Sequence, residues 1–179
     1  MLSKKLIPLT TTRHLEYLLG LKQPAIAKLA KDAGTYYKPK EIKILKPGAR
    51  VKVRYLDRPF GDIKTVQYRI LTKILAPSGE FFPSGMLSGI SGRGHLDNIE
   101  LHKRKEAVAT LDIRRCFPST GDHRVHSALI KHLGCGKAVA HILTDLTTHN
   151  GHIPQGSPTS NLILNLAILD LYLEVEAIA

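Results

Sequence analysis

Val108-Ala109-Thr110-Leu111-Asp112-Ile113-Arg114-Arg115-Cys116-Phe117-Pro118-Ser119 decides how the rest of the chain is read. It is a short apolar run that ends in a carboxylate. Alternation puts Val108, Thr110 and Asp112 on one face and Ala109, Leu111 and Ile113 on the other, the period-2 pattern of a β-strand. An unpaired carboxylate is costly to take out of water. Asp112 therefore either caps the strand end, in the turn before Pro118, or meets a cation there.

A second stretch, Ile153-Pro154-Gln155-Gly156-Ser157-Pro158-Thr159-Ser160-Asn161, gives this carboxylate its context. Between and around the two, the chain has the composition of one globular domain. At 179 residues it can bury a core. Lys and Arg total 26 against 15 acidic residues, a net charge of +11, which favours a polyanionic partner. The basic residues recur throughout the first 140 positions, so the charge is not confined to a tail. Trp is absent, and Phe and Tyr number only 4 and 6, leaving few platforms for base stacking.

Cys116 and Cys135 have neither metal-site nor disulfide-scaffold spacing, and a reducing cytoplasmic setting fits them. Met1 to Pro8 lacks the long apolar core of a secretion signal. The apolar stretch from Leu162 to Ala179 is interrupted by Asn165, Asp170, Glu174 and Glu176, which argues against a membrane span.

In chain order, Thr10 to Thr12 can cap a helix carrying Leu15, Leu18 and Leu19, with Gly20 ending it. Pro24 suits the first turn of a second helix with Ile26, Leu29 and Ala30 on one face, ended by Gly34. Lys46-Pro47-Gly48-Ala49 is a turn. Ile42 and Ile44 before it, and Val51, Val53 and Tyr55 after it, alternate with basic residues, which predicts a hairpin apolar inside and basic outside. Asp62 is the expected N-cap of a helix whose stripe is Ile63, Val66, Ile70 and Ile74, with Gln67 and Lys73 outside it.

Gly85 to Gly94 reads as loop, and His95 and His102 as structural histidines rather than a metal pair. A helix capped by Thr120 or Asp122 carries Val125 and Leu129. Another carries Val139, Ile142, Leu143 and Leu146. A final helix capped by Thr159 or Ser160 is apolar nearly all round, so it should be buried inside a larger body.

Leu111-Asp112-Ile113 with Phe117-Pro118-Ser119, followed by Pro154-Gln155-Gly156-Ser157-Pro158-Thr159-Ser160, resembles bacterial reverse transcriptases of the retron and group II intron kind. Two weaker blocks agree in order. Arg54 to Pro59, then Ile63-Lys64-Thr65-Val66-Gln67 and Ile70-Leu71, resembles their fingers block. Ser91 to Ile99, with His102, resembles the block before the palm. The resemblance runs from about Leu18 to the last residue. Phage-defence enzymes share the same blocks.

The resemblance implies an α+β fold: right-hand polymerase fingers and a truncated palm, with a small antiparallel sheet packed against helices. It divides the chain into a helical lead-in (1–35), fingers with a hairpin flap (36–90), the first part of the palm with the catalytic strand (91–120), fingers helices (121–154) and a palm helix (155–179). The implied activity is RNA-directed DNA polymerisation on an RNA template with a DNA or RNA primer and dNTP. Two magnesium ions roughly 3.5–4 Å apart would stabilise the entering and leaving oxygens.

By that likeness Asp112 bridges both ions and the Ile113 carbonyl completes one coordination sphere. Arg54 contacts the triphosphate through its planar fork, and Lys46 or Lys52 adds charge. Arg115 and Cys116 offer backbone N–H groups. Phe117 packs under the sugar and excludes a 2′-hydroxyl. Gln155 lies along the sugar, and Gly156 lets the backbone approach closely.

Two departures stand out. Asn161 takes a place where the family often has Pro. No Tyr-x-Asp-Asp strand occurs in the 179 residues, so the chain is expected to be inactive alone and to need the remaining palm and thumb or another chain. The other reading is a non-catalytic basic RNA-binding or scaffolding protein on a degraded polymerase fold.

Overall fold

The computed structural model describes residues 8–47 and 50–178. The expected reading of residues 1–7, Gly48 and Ala49 of the turn, and the side chains of Lys46 and Lys52 lie outside what is described. The described residues form a mixed α+β structure: helices packed around one core, and a single two-stranded antiparallel sheet.

Two short helices open it. In α1 (Thr12–Leu19) the Thr11 side chain accepts the His14 N–H at 3.3 Å, and Gly20 ends the helix at φ +62°. Pro24 sits in the first turn of α2 (Gln23–Lys31). The helix stops at Lys31 rather than at Gly34, which falls within a 3-10 turn, Ala33–Tyr36. Leu15, Leu19, Ile26 and Leu29 are buried.

Strands β1 (Tyr37–Lys46) and β2 (Arg50–Pro59) form the expected hairpin, but its faces differ from the expectation. Directly opposed residues share a face, and the register opposes Leu45 to Val51, Lys43 to Val53 and Glu41 to Tyr55. Ile42 opposes Arg54, Lys40 opposes Leu56 and Lys38 opposes Arg58. Ile42 and Ile44 therefore lie on the face away from Val51, Val53 and Tyr55, among Lys38, Lys40, Arg54 and Arg58. Only the base is buried, at Tyr37 and Pro59; Leu45 near the tip is 74% exposed. The sheet thus meets the helical body at its base and projects beyond it.

Helix α3 (Gly61–Ile70) follows directly. Phe60 holds the N-cap position without a side-chain cap bond; Asp62 lies in the first turn, where the helix dipole favours a carboxylate. Ile63, Val66, Ile70 and Ile74 are buried as their spacing requires. Gln67 is buried with them, contrary to its expected place outside the stripe, because it is one helical turn beyond Ile63 and its polar atoms find partners. A π-helical segment (Leu71–Leu75) and a 3-10 segment (Ala76–Phe81) extend α3 before the chain turns into the loop to Gly94.

Arg93 organises that loop. Its Nη1 donates to the carbonyls of Pro83 at 2.5 Å and Met86 at 2.9 Å, and its Nη2 to those of Phe82 at 3.0 Å and Gly79 at 3.4 Å. Helix α4 (His95–His102) buries none of its residues, so His95 and His102 are exposed rather than satisfied within a core.

Residues 107–113 are not a strand. They carry no ladder pairing, and Val108, Leu111 and Ile113 are exposed, Leu111 by 79%. A strand exists through a neighbour that takes its N–H and C=O groups, and the only sheet among the described residues is β1–β2.

A single turn, α5 (Cys116–Ser119), leads to α6 (Asp122–Leu133), with Gly121 at its N-cap in place of Thr120 or Asp122. Helix α7 (Lys137–Thr147) buries Val139, Leu143 and Leu146. The final apolar stretch breaks at Ile168 into α8 (Ser160–Ala167) and α9 (Leu169–Ile178). Helix α8 is buried, with Thr159 at its N-cap position. Helix α9 is not: Leu171, Leu173, Val175 and Ile178 are exposed. No described helix is long and apolar enough to cross a membrane.

Candidate nucleotide cleft

The loop Ile153–Ser157 is held against the turn that carries Phe117. The Ile153 N–H donates to the Thr120 carbonyl at 3.1 Å, the Asp122 N–H donates to the Gly151 carbonyl at 3.1 Å, and Gly121 bridges His152. At the end of α5 the hydroxyl of its C-cap, Thr120, donates to the Cys116 carbonyl at 2.8 Å, which closes the turn behind Phe117. Two sequence stretches far apart are thereby fastened side by side.

Strand β2 closes over the same loop. The Asp57 N–H donates to the Gln155 carbonyl at 2.9 Å. Gly156, at φ +116°, lies close under the strand: a Cβ there would come within 3.5 Å of Leu56 Cβ and 3.6 Å of the Asp57 carbonyl oxygen.

A cleft of about 480 Å³ opens at this junction. Phe117, Gln155 and Gly156 line it, together with Arg58, Lys64 and Tyr68. Ser157, Ser160 and Asn161 also reach it. Arg58 closes it from β2 and Lys64 from α3, so two cations face a wall of small polar groups. That combination suits an anion attached to a flat polar ring or sugar.

Three of the expected residues, Phe117, Gln155 and Gly156, are brought together here. Asp112 and Arg54 are not in the lining. Asp112 is exposed near the Cys116 thiol, which burial chiefly, and the Asp112 carboxylate secondarily, push above its ordinary pKa. Arg115, at φ +52°, precedes α5 in the left-handed region. Arg54 is exposed on the basic face of the hairpin.

Arg58 and Lys64, not Arg54, are the cations of the cleft. Both stood in the fingers block, but only the turn from β2 into α3 makes them neighbours. Asn161, in place of the usual Pro, contributes a polar side chain to the wall.

Behind the cleft is a polar network. Gln67 Nε2 donates to Tyr37 Oη at 2.7 Å and to the Leu146 carbonyl at 2.8 Å, and Ser157 Oγ donates to Gln67 Oε1 at 2.8 Å. Tyr37 stacks on His149 with ring centroids 4.2 Å apart, and His152 Nε2 lies 3.9 Å from Asp57 Oδ2. Burial, the leading cause, pushes the Tyr37 phenol up to about 12. Sequence reading missed this network because its members are scattered from Tyr37 to Ser157.

Magnesium needs several hard oxygen ligands. Among the described residues no three His, Cys, Asp or Glu side chains converge where an ion could be held. The residues present do not by themselves fit the two ions the resemblance implies.

No family model matches the chain. The retron Se72 reverse transcriptase of Salmonella heidelberg (strain 579083-10) is 28% identical to it over 159 residues, 89% of this chain and 41% of that protein. The chain has a reverse-transcriptase-like relative. It spans less than half the length of that relative, while the similarity takes in most of its own.

Proposed function

We propose that this chain is the nucleotide-positioning part of an RNA-directed DNA polymerase, built of fingers and the first portion of a palm with the boundaries given above. The observation that carries this reading is the cleft in which Phe117, Gln155 and Gly156 face Arg58 and Lys64. The similarity to a retron reverse transcriptase supports it.

In this reading Arg58 and Lys64 take the phosphates of a deoxynucleoside triphosphate. Arg58 can bond two oxygens at once, and Lys64 adds a mobile point charge. Phe117 lies beneath the sugar, Gln155 lies along it, and the N–H groups of Arg115 and Cys116 face the phosphate tail. Arg54, with Lys38 and Lys40 on the same face of the hairpin, faces the template–primer backbone or the phosphates. Asp112 and the Ile113 carbonyl are a partial contribution to a magnesium site whose other ligands lie elsewhere.

The test is equilibrium binding of dTTP to the 179-residue protein, with and without an RNA template annealed to a DNA primer. Binding of dTTP that weakens in Lys64→Ala and Arg58→Ala supports the reading. Salt-sensitive RNA binding with no affinity for dTTP would instead indicate a basic RNA-binding scaffold. Primer extension by this chain alone is not expected.

A further inference from the structure

Gln67 is wholly buried, at 0% exposure, and touches nothing in the cleft's open space. Its three bonds go to three separate parts of the chain: the start of β1, the end of α7 and the loop at Ser157. Both N–H groups are given away and the carbonyl oxygen is occupied, so the amide can be satisfied in one orientation only. Because the Ser157 hydroxyl hydrogen goes to Gln67, the contact of Ser157 with Thr159 at 3.1 Å is donated by the Thr159 hydroxyl.

The same loop is held from its other side by the Asp57 N–H on the Gln155 carbonyl. Tyr37 begins β1 and opposes Pro59, the residue after Arg58. One buried amide thus bonds both to the hairpin base that carries Arg58 and to the loop that carries Gln155 and Gly156.

We propose that Gln67 is a positioning residue: it sets the distance between the hairpin base and the Gln155–Ser157 loop, and so the width of the cleft, without touching the nucleotide. This rests on the cleft reading for its consequence, but not for its geometry.

Gln67→Glu keeps the shape and, when ionised, lacks both donors. It leaves the Leu146 carbonyl without its donor, reverses the Tyr37 contact so that the phenol O–H must donate to the carboxylate, and puts a charge in a dry site. Exchange of the Asp57 amide hydrogen reads the geometry without any nucleotide. The inference predicts that Gln67→Glu at pH 8 speeds exchange at Asp57 by about tenfold or more, while amides in α6 stay as in the parent. Lowering the pH toward 5 protonates the carboxyl, returns one donor, and brings Asp57 exchange back toward the parent after correction for intrinsic rates. Ser157→Ala, which removes one of the three bonds of Gln67 together with the Thr159 contact, gives the milder form of the same local effect.

The nucleotide readout separates this proposal from the one it extends. If Arg58→Ala and Lys64→Ala weaken dTTP binding and Gln67→Glu and Ser157→Ala do likewise, both stand. If the first pair acts and the second does not, Gln67 has no positioning role. If dTTP does not bind at all, the cleft reading fails and the Asp57 exchange alone decides whether Gln67 sets the loop. Unchanged Asp57 exchange in both Gln67→Glu and Ser157→Ala would overturn the proposal, as would loss of protection spread evenly over the protein.

Discussion

The Asp57 N–H gives its hydrogen bond to the Gln155 carbonyl at 2.9 Å, so an inner edge of the hairpin is fastened to a loop that lies far away in sequence. That bond brings Gly156 beneath Leu56 and Arg58 and forms the roof of the cleft.

Gly156 is therefore expected to resist substitution. Its φ of +116° strains any residue with a Cβ, although the added carbon would meet Leu56 and the Asp57 carbonyl only at ordinary contact distance. Gly156→Ala should lose about 1–3 kcal/mol in urea unfolding. Gly34→Ala, whose Cβ would meet nothing within 4 Å, should be close to neutral and serves as the control.

Arg93 holds the loop before α4 through four carbonyls. Arg93→Ala should destabilise by about 1–3 kcal/mol, since acceptors in a part-buried loop lose their donor. Arg93→Lys should recover little, because an ammonium cannot span the positions that the guanidinium fork reaches. Equilibrium unfolding with proteolysis of the 82–94 segment reads both.

His149 supplies a pH dependence. Burial lowers its pKa below 6.5, outweighing the opposing pull of Asp57; the neighbouring His152 lowers it further. The unfolded chain then binds a proton at a pH where the folded one does not, so this group favours folding above 6.5 and opposes it as the pH falls from 6.5 toward the depressed value. Stability measured in urea at pH 8 and at pH 5.5 should fall by less in His149→Phe, which keeps a ring against Tyr37 and removes the titration. An identical pH slope in parent and variant would exclude this role.

The apolar side chains left open on α9 should be detectable in solution. Leu171, Leu173, Val175 and Ile178 lie exposed on one short helix. The protein should bind a hydrophobic dye, and the double variant Leu173→Glu with Val175→Lys should reduce that signal without loss of helix content. A parent protein silent to the dye would contradict the exposed arrangement.

What could be read from the sequence follows from how local each signal is. The apolar stripes of α1, α3, α6 and α7 depend on neighbours three or four residues away, so Leu15, Ile63, Leu129 and Leu143 could be placed in the core, whereas of their caps only that of α1 falls where its residues suggest. The hairpin was legible as an object, but its faces were not. Register is set by the turn, and the pairing of Ile42 with Arg54 sends Ile42 and Val53 to opposite sides.

The 107–113 segment alternates as a strand does, yet strand formation depends on a partner, and no described strand lies beside it. Gln67 stands outside the apolar stripe as the sequence is read. Its burial depends on Tyr37, Leu146 and Ser157, which no window of sequence contains. For the same reason Phe117 and Gln155 could be named from motifs, while Arg58 and Lys64 emerged as their cationic neighbours only from the fold.

The most direct test is where a deoxynucleoside triphosphate binds. Amide chemical shifts of the isotopically labelled protein, titrated with dTTP, should move at Lys64, Phe117, Gln155, Gly156 and Ser157, and the same titration should be weakened in Arg58→Ala. Absence of shifts at these residues, or shifts confined to the hairpin tip or α9, would contradict the assignment of the cleft.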